Sequence, residues 1–335
     1  MNLIKNKVIV LGSLAFDYIM GFDENFINAV SIDHEKGEYQ STVTANSRIQ
    51  HFGGTAGNIA YNLGLLNIAQ TSLFGAVGQD FSTYKAHMTK FKNVNLSVDT
   101  HEDLFTAACY IVNDIKSNQM IIFHGGALDK CIDINLKEKI KDPEQYIYAI
   151  NSTQSIEAMY NFAEQLYELK IPMIFDPGQV IPLFTKDLLL KILSMTEILI
   201  GNTYEINQML DKAALSKKDI LKDVKAIIMT KGADGSELMY KDQNNKIYEV
   251  DIPICKPQKE IADTTGAGDG YRAGILTGLS LDMTLLDSCR LGSVIRSFVV
   301  ETGGPQTQIF TLEDVKMRYF QTYEYTPQEL EKEHL

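Results

Sequence analysis

Residues 146–175 read YIYAINSTQSIEAMYNFAEQLYELKIPMIF. Tyr146-Ile147-Tyr148-Ala149-Ile150 is a short apolar run of strand-forming residues. Ser155 to Leu169 follows, with Ile156, Met159, Tyr160, Ala163, Leu166 and Tyr167 at helical spacing. Pro172-Met173-Ile174-Phe175 then gives a second apolar run. Strand, amphipathic helix, strand is the pattern of two neighbouring parallel strands joined by a crossover. Outward from this unit the pattern repeats. Val8-Ile9-Val10-Leu11 is closed by Gly12-Ser13, and Ile121-Ile122-Phe123, Ile198-Leu199-Ile200 and Ala226-Ile227-Ile228-Met229 are further runs that suit buried strands. A helical stretch from Asp187 to Leu193 leads into Ile198. The alternation predicts an α/β fold with a mainly parallel sheet and right-handed crossovers.

Two stretches break the alternation. Glu38 to Phe52 alternates polar and apolar residues, and Thr106 to Phe123 reads as strands around a turn at Lys116-Ser117-Asn118. Half-exposed antiparallel strands give this pattern, which predicts a small accessory sheet beside the main one. No repeat of fixed period is present, and Gln328 to Leu335 reads as a frayed helix end.

The 335 residues are 45% hydrophobic and 22% charged, the composition of a chain with an ordinary core. A net charge of −12 without a dense Lys/Arg block argues against nucleic acid as a partner. No apolar stretch is long enough to span a membrane. Cys109, Cys131, Cys255 and Cys289 form no CxxC pair and read as reduced thiols rather than a zinc framework. The first residues lack the apolar core of a secretion signal, so the cytoplasm is the expected location, and Asn95 and Asn151 within glycosylation-like triplets carry little weight.

Four short motifs could carry chemistry. Asp263-Thr264-Thr265-Gly266-Ala267-Gly268-Asp269-Gly270 precedes a helix with Tyr271, Ile275, Leu276 and Leu279 on one face. Small residues at a helix start leave backbone N–H groups open to an anion such as a phosphate. Asp269 repels such an anion unless it accepts a proton from an attacking hydroxyl; the alternative is a Gly-rich turn with Asp269 as cap. Phe52-Gly53-Gly54-Thr55-Ala56-Gly57-Asn58 also leads into a helix, and its Asn58 suits a pair of sugar hydroxyls or simply the first helical turn. In Gly12-Ser13-Leu14-Ala15-Phe16-Asp17, just past the first strand, Asp17 could accept from vicinal hydroxyls or sit in a surface turn. Asn202-Thr203-Tyr204-Glu205 places Asn202 and Glu205 on one helical face, where they could hold a hydrated Mg²⁺ or cap the helix. GxxxxGK[ST], a GxGxxG after the first strand, HExxH and the protein-kinase HRD and DFG motifs are all absent.

In this order the motifs resemble the PfkB, or ribokinase-like, family of sugar and nucleoside kinases. Gly53 to Asn58 is similar to the family's first signature and Asp263 to Asp269 to its second, about 210 residues later. Asn202 to Glu205 is similar to its NxxE metal motif, and Thr230-Lys231-Gly232-Ala233-Asp234-Gly235-Ser236 to its nucleotide-binding turn. The resemblance runs from Val8 to about Tyr319. Within the family the chain is most similar to the bacterial adenosine kinases, in Gly12 to Met20, Asp80 to Tyr84, Gly270 to Gly274, Leu291 to Ser293 and Glu301 to Gly303. It departs after Asp176-Pro177-Gly178-Gln179, where Leu183 stands in place of an expected arginine.

The resemblance implies a ribokinase-like three-layer α/β/α sandwich, one kinase domain over 1–335, with a small β-sheet lid from segments near 14–52 and 100–125. It implies ATP- and Mg²⁺-dependent phosphorylation of the adenosine 5′-hydroxyl, with a ribokinase-like sugar kinase or another nucleoside kinase as the alternative. A non-catalytic binding protein and a nicotinamide-dependent dehydrogenase fit the motifs less well. Asp269 would be the base, unperturbed near pKa 3.9 and ionised at neutral pH. The N–H groups of Gly266, Ala267, Gly268 and Asp269 would hold the transferring phosphoryl. Asp17, Gly53, Gly54 and Asn58 would hold the ribose, and Ser13 and Phe123 would flank the base. Asn202, Thr230, Gly232 and Gly235 would line the ATP site. Asn202 and Glu205 would position Mg²⁺ through water, and Asp263 and Thr265 match a K⁺ site. Lid contacts would form a homodimer.

Overall fold

The computed structural model describes residues 6–33, 38–116 and 118–332. Its strands are β1 (Lys7–Leu11), β2 (Ala15–Gly21), β3 (Val30–Asp33), β4 (Glu38–Ser41) and β5 (Ser47–Gly53). They continue with β6 (Gln70–Gly78), β7 (Val94–His101), β8 (Ala107–Asn113), β9 (Gln119–His124) and β10 (Tyr146–Ser152). The last five are β11 (Met173–Asp176), β12 (Ile198–Asn202), β13 (Ala226–Thr230), β14 (Ser236–Lys241) and β15 (Ile247–Ile252). Nine of them form one sheet in the order β15-β14-β13-β12-β11-β10-β1-β6-β7. Every pair from β13 to β7 is parallel, and β14 and β15 close one edge as antiparallel neighbours. The predicted parallel α/β core is therefore present.

Both faces of the sheet are covered, and strand periodicity sorts the side chains between them. Ile9, Leu11, Phe74, Phe175, Leu199 and Ile227 face the helices Ile156–Glu168, Lys186–Leu193 and Thr203–Ala213. Their neighbours Val8, Val10, Leu73, Ile174, Ile200 and Ile228 face the helices Thr55–Leu66 and Ala267–Ser280. A strand buried on both faces reads as a continuous apolar run, which is why the central strands are plain in the sequence. Ser155 caps the Ile156–Glu168 helix through the Ala158 N–H, as its place before that amphipathic stretch suggests.

A four-stranded sheet in the order β5-β2-β8-β9 stands beside this body. It is mixed rather than wholly antiparallel, because β2 pairs with β8 in parallel and with β5 antiparallel, while β8 and β9 form a hairpin. Three expectations are corrected here. Ile121 to Phe123, grouped with the buried strands, lies on the exposed edge strand β9, with Phe123 58% exposed. Glu38 to Phe52 is not one unit: β4 pairs with β3 in a two-stranded ribbon, and only β5 joins the small sheet. The segment near 100–125 begins in the main sheet, since β7 runs to His101. Ser117 of the expected turn lies outside the described residues. The tail forms a short helix, Gln328–Glu331, anchored by buried Leu330. No described helix is long and apolar enough to cross a membrane.

The Ala267–Ser280 and Leu285–Val299 helices pack backbone against backbone. A methyl group added at Gly274 would stand 2.5 Å from the Gly292 Cα. Replacing Gly274 by Ala gains about 1 kcal/mol of helix propensity but forces these helices apart, an overpacking that costs about 1–3 kcal/mol. Gly274→Ala is therefore expected to lower the unfolding free energy by a net of about 1 kcal/mol, read as a lower urea midpoint at unchanged m. A midpoint equal to or above the wild type would show that the two helices are free to separate.

Candidate active site

The sheet changes its direction of growth at β1, with β6 and β7 added on one side and β10 to β13 on the other. In an open parallel sheet the loops leaving adjacent strands diverge at such a point and leave a crevice at the carboxyl ends. A cleft of about 1070 Å³ lies there. Ser13 enters it after β1, Thr153 after β10, Asp176 at the end of β11, Asn202 at the end of β12 and Thr230 at the end of β13. The small sheet overhangs it with Asp17, Cys109 and Phe123. All but two of the site residues expected from the sequence line this one space; the exceptions are Gly53 and Asp263, directly behind it.

Two helices aim their N-termini into the cleft, each preceded by a glycine at positive φ. Gly54 has φ 83° and Gly266 φ 77°, which other residues rarely adopt. At the second helix the Ala267 N–H is already bonded to the Thr264 carbonyl at 3.2 Å. The N–H groups of Gly266, Gly268 and Asp269 have no protein acceptor among the described residues. Of the four N–H groups expected to form an anion hole, three are thus open, and that of Ala267 closes the turn. Asp263 braces the same turn: Oδ1 accepts from the Thr265 N–H and hydroxyl, at 2.9 and 2.8 Å, and Oδ2 from the Gly304 N–H at 3.2 Å.

Asp269 is half-buried at the floor, and its Oδ2 accepts from Asn58 Nδ2 at 2.8 Å. Burial pushes its carboxyl up to about 7; Asn58 and Arg272 pull it down, and Asp176 and Asp17 push it up further. This corrects the expectation of an unperturbed carboxylate: near neutrality Asp269 is poised between its two forms. Asp17 is pushed up to about 6 by burial as well. Its carboxylate packs over Gly53, where a methyl group would collide with it, which gives Gly53 a supporting place.

Below the anion hole lies a buried ion pair. Arg272 Nε and Nη2 donate to the two Asp176 oxygens at 2.6 and 2.5 Å, and Arg272 Nη1 donates to the Gly268 carbonyl at 3.0 Å. Ser152 Oγ adds a fourth bond, 3.0 Å to Asp176 Oδ2. Asn202 and Glu205 form a reciprocal capping box, with Asn202 N–H to Glu205 Oε2 at 2.7 Å and Glu205 N–H to Asn202 Oδ1 at 2.9 Å. The capping role of this pair is therefore real. Glu205 Oε1 takes no protein donor among the described residues and lies on a cleft-lining side chain. No group of three or more His, Cys, Asp or Glu suited to a metal occurs among the described residues. One open carboxylate oxygen fits Mg²⁺ held through water and substrate phosphates, not an all-protein cage.

Sequence reasoning missed Tyr84 and Gln306, which connect Gly53, Asn58 and Asp269 from behind, and Arg296, which lines the cleft. The signal for Gln306 was slight, a polar residue beyond Gly303-Gly304-Pro305 with nothing local to show that it is buried. Leu183, at the position of the expected arginine, is 66% exposed on the cleft wall.

Residues 6–311 match the model of the pfkB family carbohydrate kinases. A nucleoside kinase of Methanocaldococcus jannaschii is 30% identical over 319 residues, 93% of this chain and 96% of the relative. The adenosine kinase of Saccharomyces cerevisiae is 25% identical, over 76% of this chain and 78% of that protein. The Burkholderia thailandensis nucleoside kinase solved in complex with inosine superposes with a TM-score of 0.80 at 28% identity, covering 96% of this chain and 99% of that one.

The raised Asp269 carboxyl has a consequence for stability. The folded state binds this proton more tightly than the unfolded chain does, so stability is lost as pH rises from about 4 through about 7. Asp269→Asn, which cannot ionise, is expected to melt above the wild type at pH 8, with the gap closing towards pH 5. Melting curves at both pH values check this; a gap independent of pH would mean that Asp269 carries no burial cost.

Proposed function

Because the chain belongs to the pfkB family of carbohydrate kinases, we propose that it phosphorylates the 5′-hydroxyl of a purine nucleoside, adenosine first, using ATP and Mg²⁺ and releasing ADP. Family membership makes it a kinase acting on a nucleoside or sugar hydroxyl. The observation that carries the phosphoryl-transfer step is Asp269, a carboxylate poised near neutral pH beside three open N–H donors, and the nucleoside-kinase relatives support a nucleoside as its acceptor. A base works best with a pKa near the operating pH, where it is both available and strong enough to take the proton.

The steps follow from positions. Asp17, Asn58 and the Gly54 backbone hold the ribose 2′- and 3′-hydroxyls, and Ser13 and Phe123 flank the base, Phe123 by stacking from β9. Asn202, Thr230, Gly232 and Gly235 line the ATP end of the cleft. Asp269 takes the proton of the 5′-hydroxyl as its oxygen bonds to the γ-phosphorus and the bond to the ADP oxygen breaks. The N–H groups of Gly266, Gly268 and Asp269 receive the charge on the transferring phosphoryl, and phosphoryl transfer needs little beyond such positioning and charge stabilisation. Glu205 with Asn202 would hold Mg²⁺ through water, and the ion would neutralise phosphate charge. K⁺ at the Asp263–Thr265 turn is the proposed monovalent activator.

The small sheet acts as the lid in this proposal, excluding water that would compete with the sugar hydroxyl. Tyr110, Met120 and Ile122 lie on the face of the lid opposite Phe123 and are exposed, which supports a homodimer through the lid. A broader nucleoside kinase is the second reading, favoured by Leu183 in place of an arginine on the cleft wall and by the inosine complex of the Burkholderia relative.

ADP release with ATP and Mg²⁺ should be measured in parallel for adenosine, inosine, guanosine, ribose and fructose 6-phosphate. Turnover with adenosine well above the rest is expected. Comparable rates with inosine and guanosine would move the conclusion to the broader kinase, and turnover with ribose alone would remove the nucleoside reading. Asp269→Asn is expected to lose about 10²–10⁴-fold in kcat with little change in nucleoside affinity. Wild-type turnover in that variant would remove Asp269 as the base.

A further inference from the structure

Behind the cleft floor, Asn58 is joined to two buried residues, Gln306 and Tyr84, that play no part in the steps above. Asn58 Nδ2 donates to Asp269 Oδ2 at 2.8 Å, and Asn58 Oδ1 accepts from Gln306 Nε2 at 2.9 Å. The same nitrogen donates to Tyr84 Oη at 2.7 Å, and Tyr84 donates onward to the Gly53 carbonyl at 2.7 Å. Asn58, Tyr84 and Gln306 are all buried. Gln306 Oε1 and His87 Nε2 are both buried, and neither has a hydrogen-bond partner among the described residues.

An amide is nearly symmetric in shape but not in charge. Asn58 could turn either its nitrogen or its oxygen toward Asp269, and only the nitrogen favours the carboxylate. The choice is made one residue further back. Tyr84 has committed its only proton to Gly53, so it can only accept, and Gln306 must present nitrogen to it. Gln306 is thus held in one orientation and meets Asn58 with a donor.

We infer that Gln306 is a positioning residue that fixes the Asn58 amide so that it donates to Asp269 and keeps the base ready to ionise. The inference rests on the reading of Asp269 as the base. Three other charged groups face that carboxylate: Arg272 from its own helix, Asp176 from the end of β11 and Asp17 from β2. Gln306→Met, similar in size and unable to hydrogen-bond Asn58, touches none of them.

The test is the acid limb of kcat/KM against pH, with adenosine and inosine as acceptors. In the wild type the limb is expected near pH 7. Gln306→Met is expected to move it up by about one pH unit, giving about a tenfold loss below the limb that recovers at alkaline pH. Asn58→Ala is expected to move it similarly, and the double variant no further, because Gln306 acts through Asn58. Tyr84→Phe removes the acceptor that orients Gln306 while keeping the ring, and should move the limb the same way by less. It keeps the inference testable if Gln306→Met folds poorly. A limb at the wild-type pH in both Gln306→Met and Tyr84→Phe, with activity lowered equally at all pH values, would reduce Gln306 to a packing residue and overturn the inference. So would additive shifts in the double variant. A flat wild-type profile from about pH 5.5 to about pH 9 would instead remove Asp269 as the base, and this inference with it.

Discussion

The bidentate pair between Arg272 and Asp176 joins the two halves of the molecule. Asp176 ends a central strand, and Arg272 lies in the helix whose start carries the open N–H groups of the expected anion hole. Through Nη1 the same guanidinium also grips the Gly268 carbonyl, so the hole is tied to the sheet rather than to its own loop. Replacing one partner of a buried pair leaves an uncompensated charge and typically costs about 3–5 kcal/mol, whereas a well-packed apolar pair in its place is often no less stable. What the charges supply here is direction. Three hydrogen bonds from one rigid fork fix the helix start relative to β11 in a way that an apolar contact would leave loose.

The same low-polarity surroundings set the chemistry above it. Asp17 and Asp269 are both held above the ordinary carboxylate range chiefly by burial. Two acids near one cleft, beside a third that is neutralised by an arginine, would be costly in a scaffold selected for stability alone. The glycines at 54 and 266 belong to the same trade, each holding a backbone shape that exposes N–H groups instead of covering them.

The doubly buried strands were legible in the sequence because their signal is local and strong, as in Val8 to Leu11 and Ile198 to Ile200. β6 and β7 were not picked out, although Ser72-Leu73-Phe74 is as apolar as several that were; glycines at 75 and 78 break the run. The hairpin of β14 and β15 was hidden by half-exposed residues such as Glu249 and Asp251. Ile121 to Phe123 misled for the opposite reason, since composition cannot show that an apolar run lies on an exposed edge. At the site, the motif residues were legible as local patterns. The ion pair, the Tyr84–Gln306 connection and the occupied Ala267 N–H depend on residues brought together only by the sheet. The raised carboxyl of Asp269 is of that kind too, since burial is a property of the fold and not of the motif.

The cleft is assembled chiefly from the ends of five strands and the starts of two helices, with lining residues spread from Ser13 to Arg296. Its parts are far apart along the chain, so none of it exists until nearly all of the sheet has formed. On a ribosome Ser13, Asp17 and Asn58 emerge long before Asp269, and must wait in a half-made sheet whose open edges can pair with other chains. Large separations of this kind slow folding. Binding competence and native structure therefore arrive in one late event, and a proteolytic fragment from either end inherits neither.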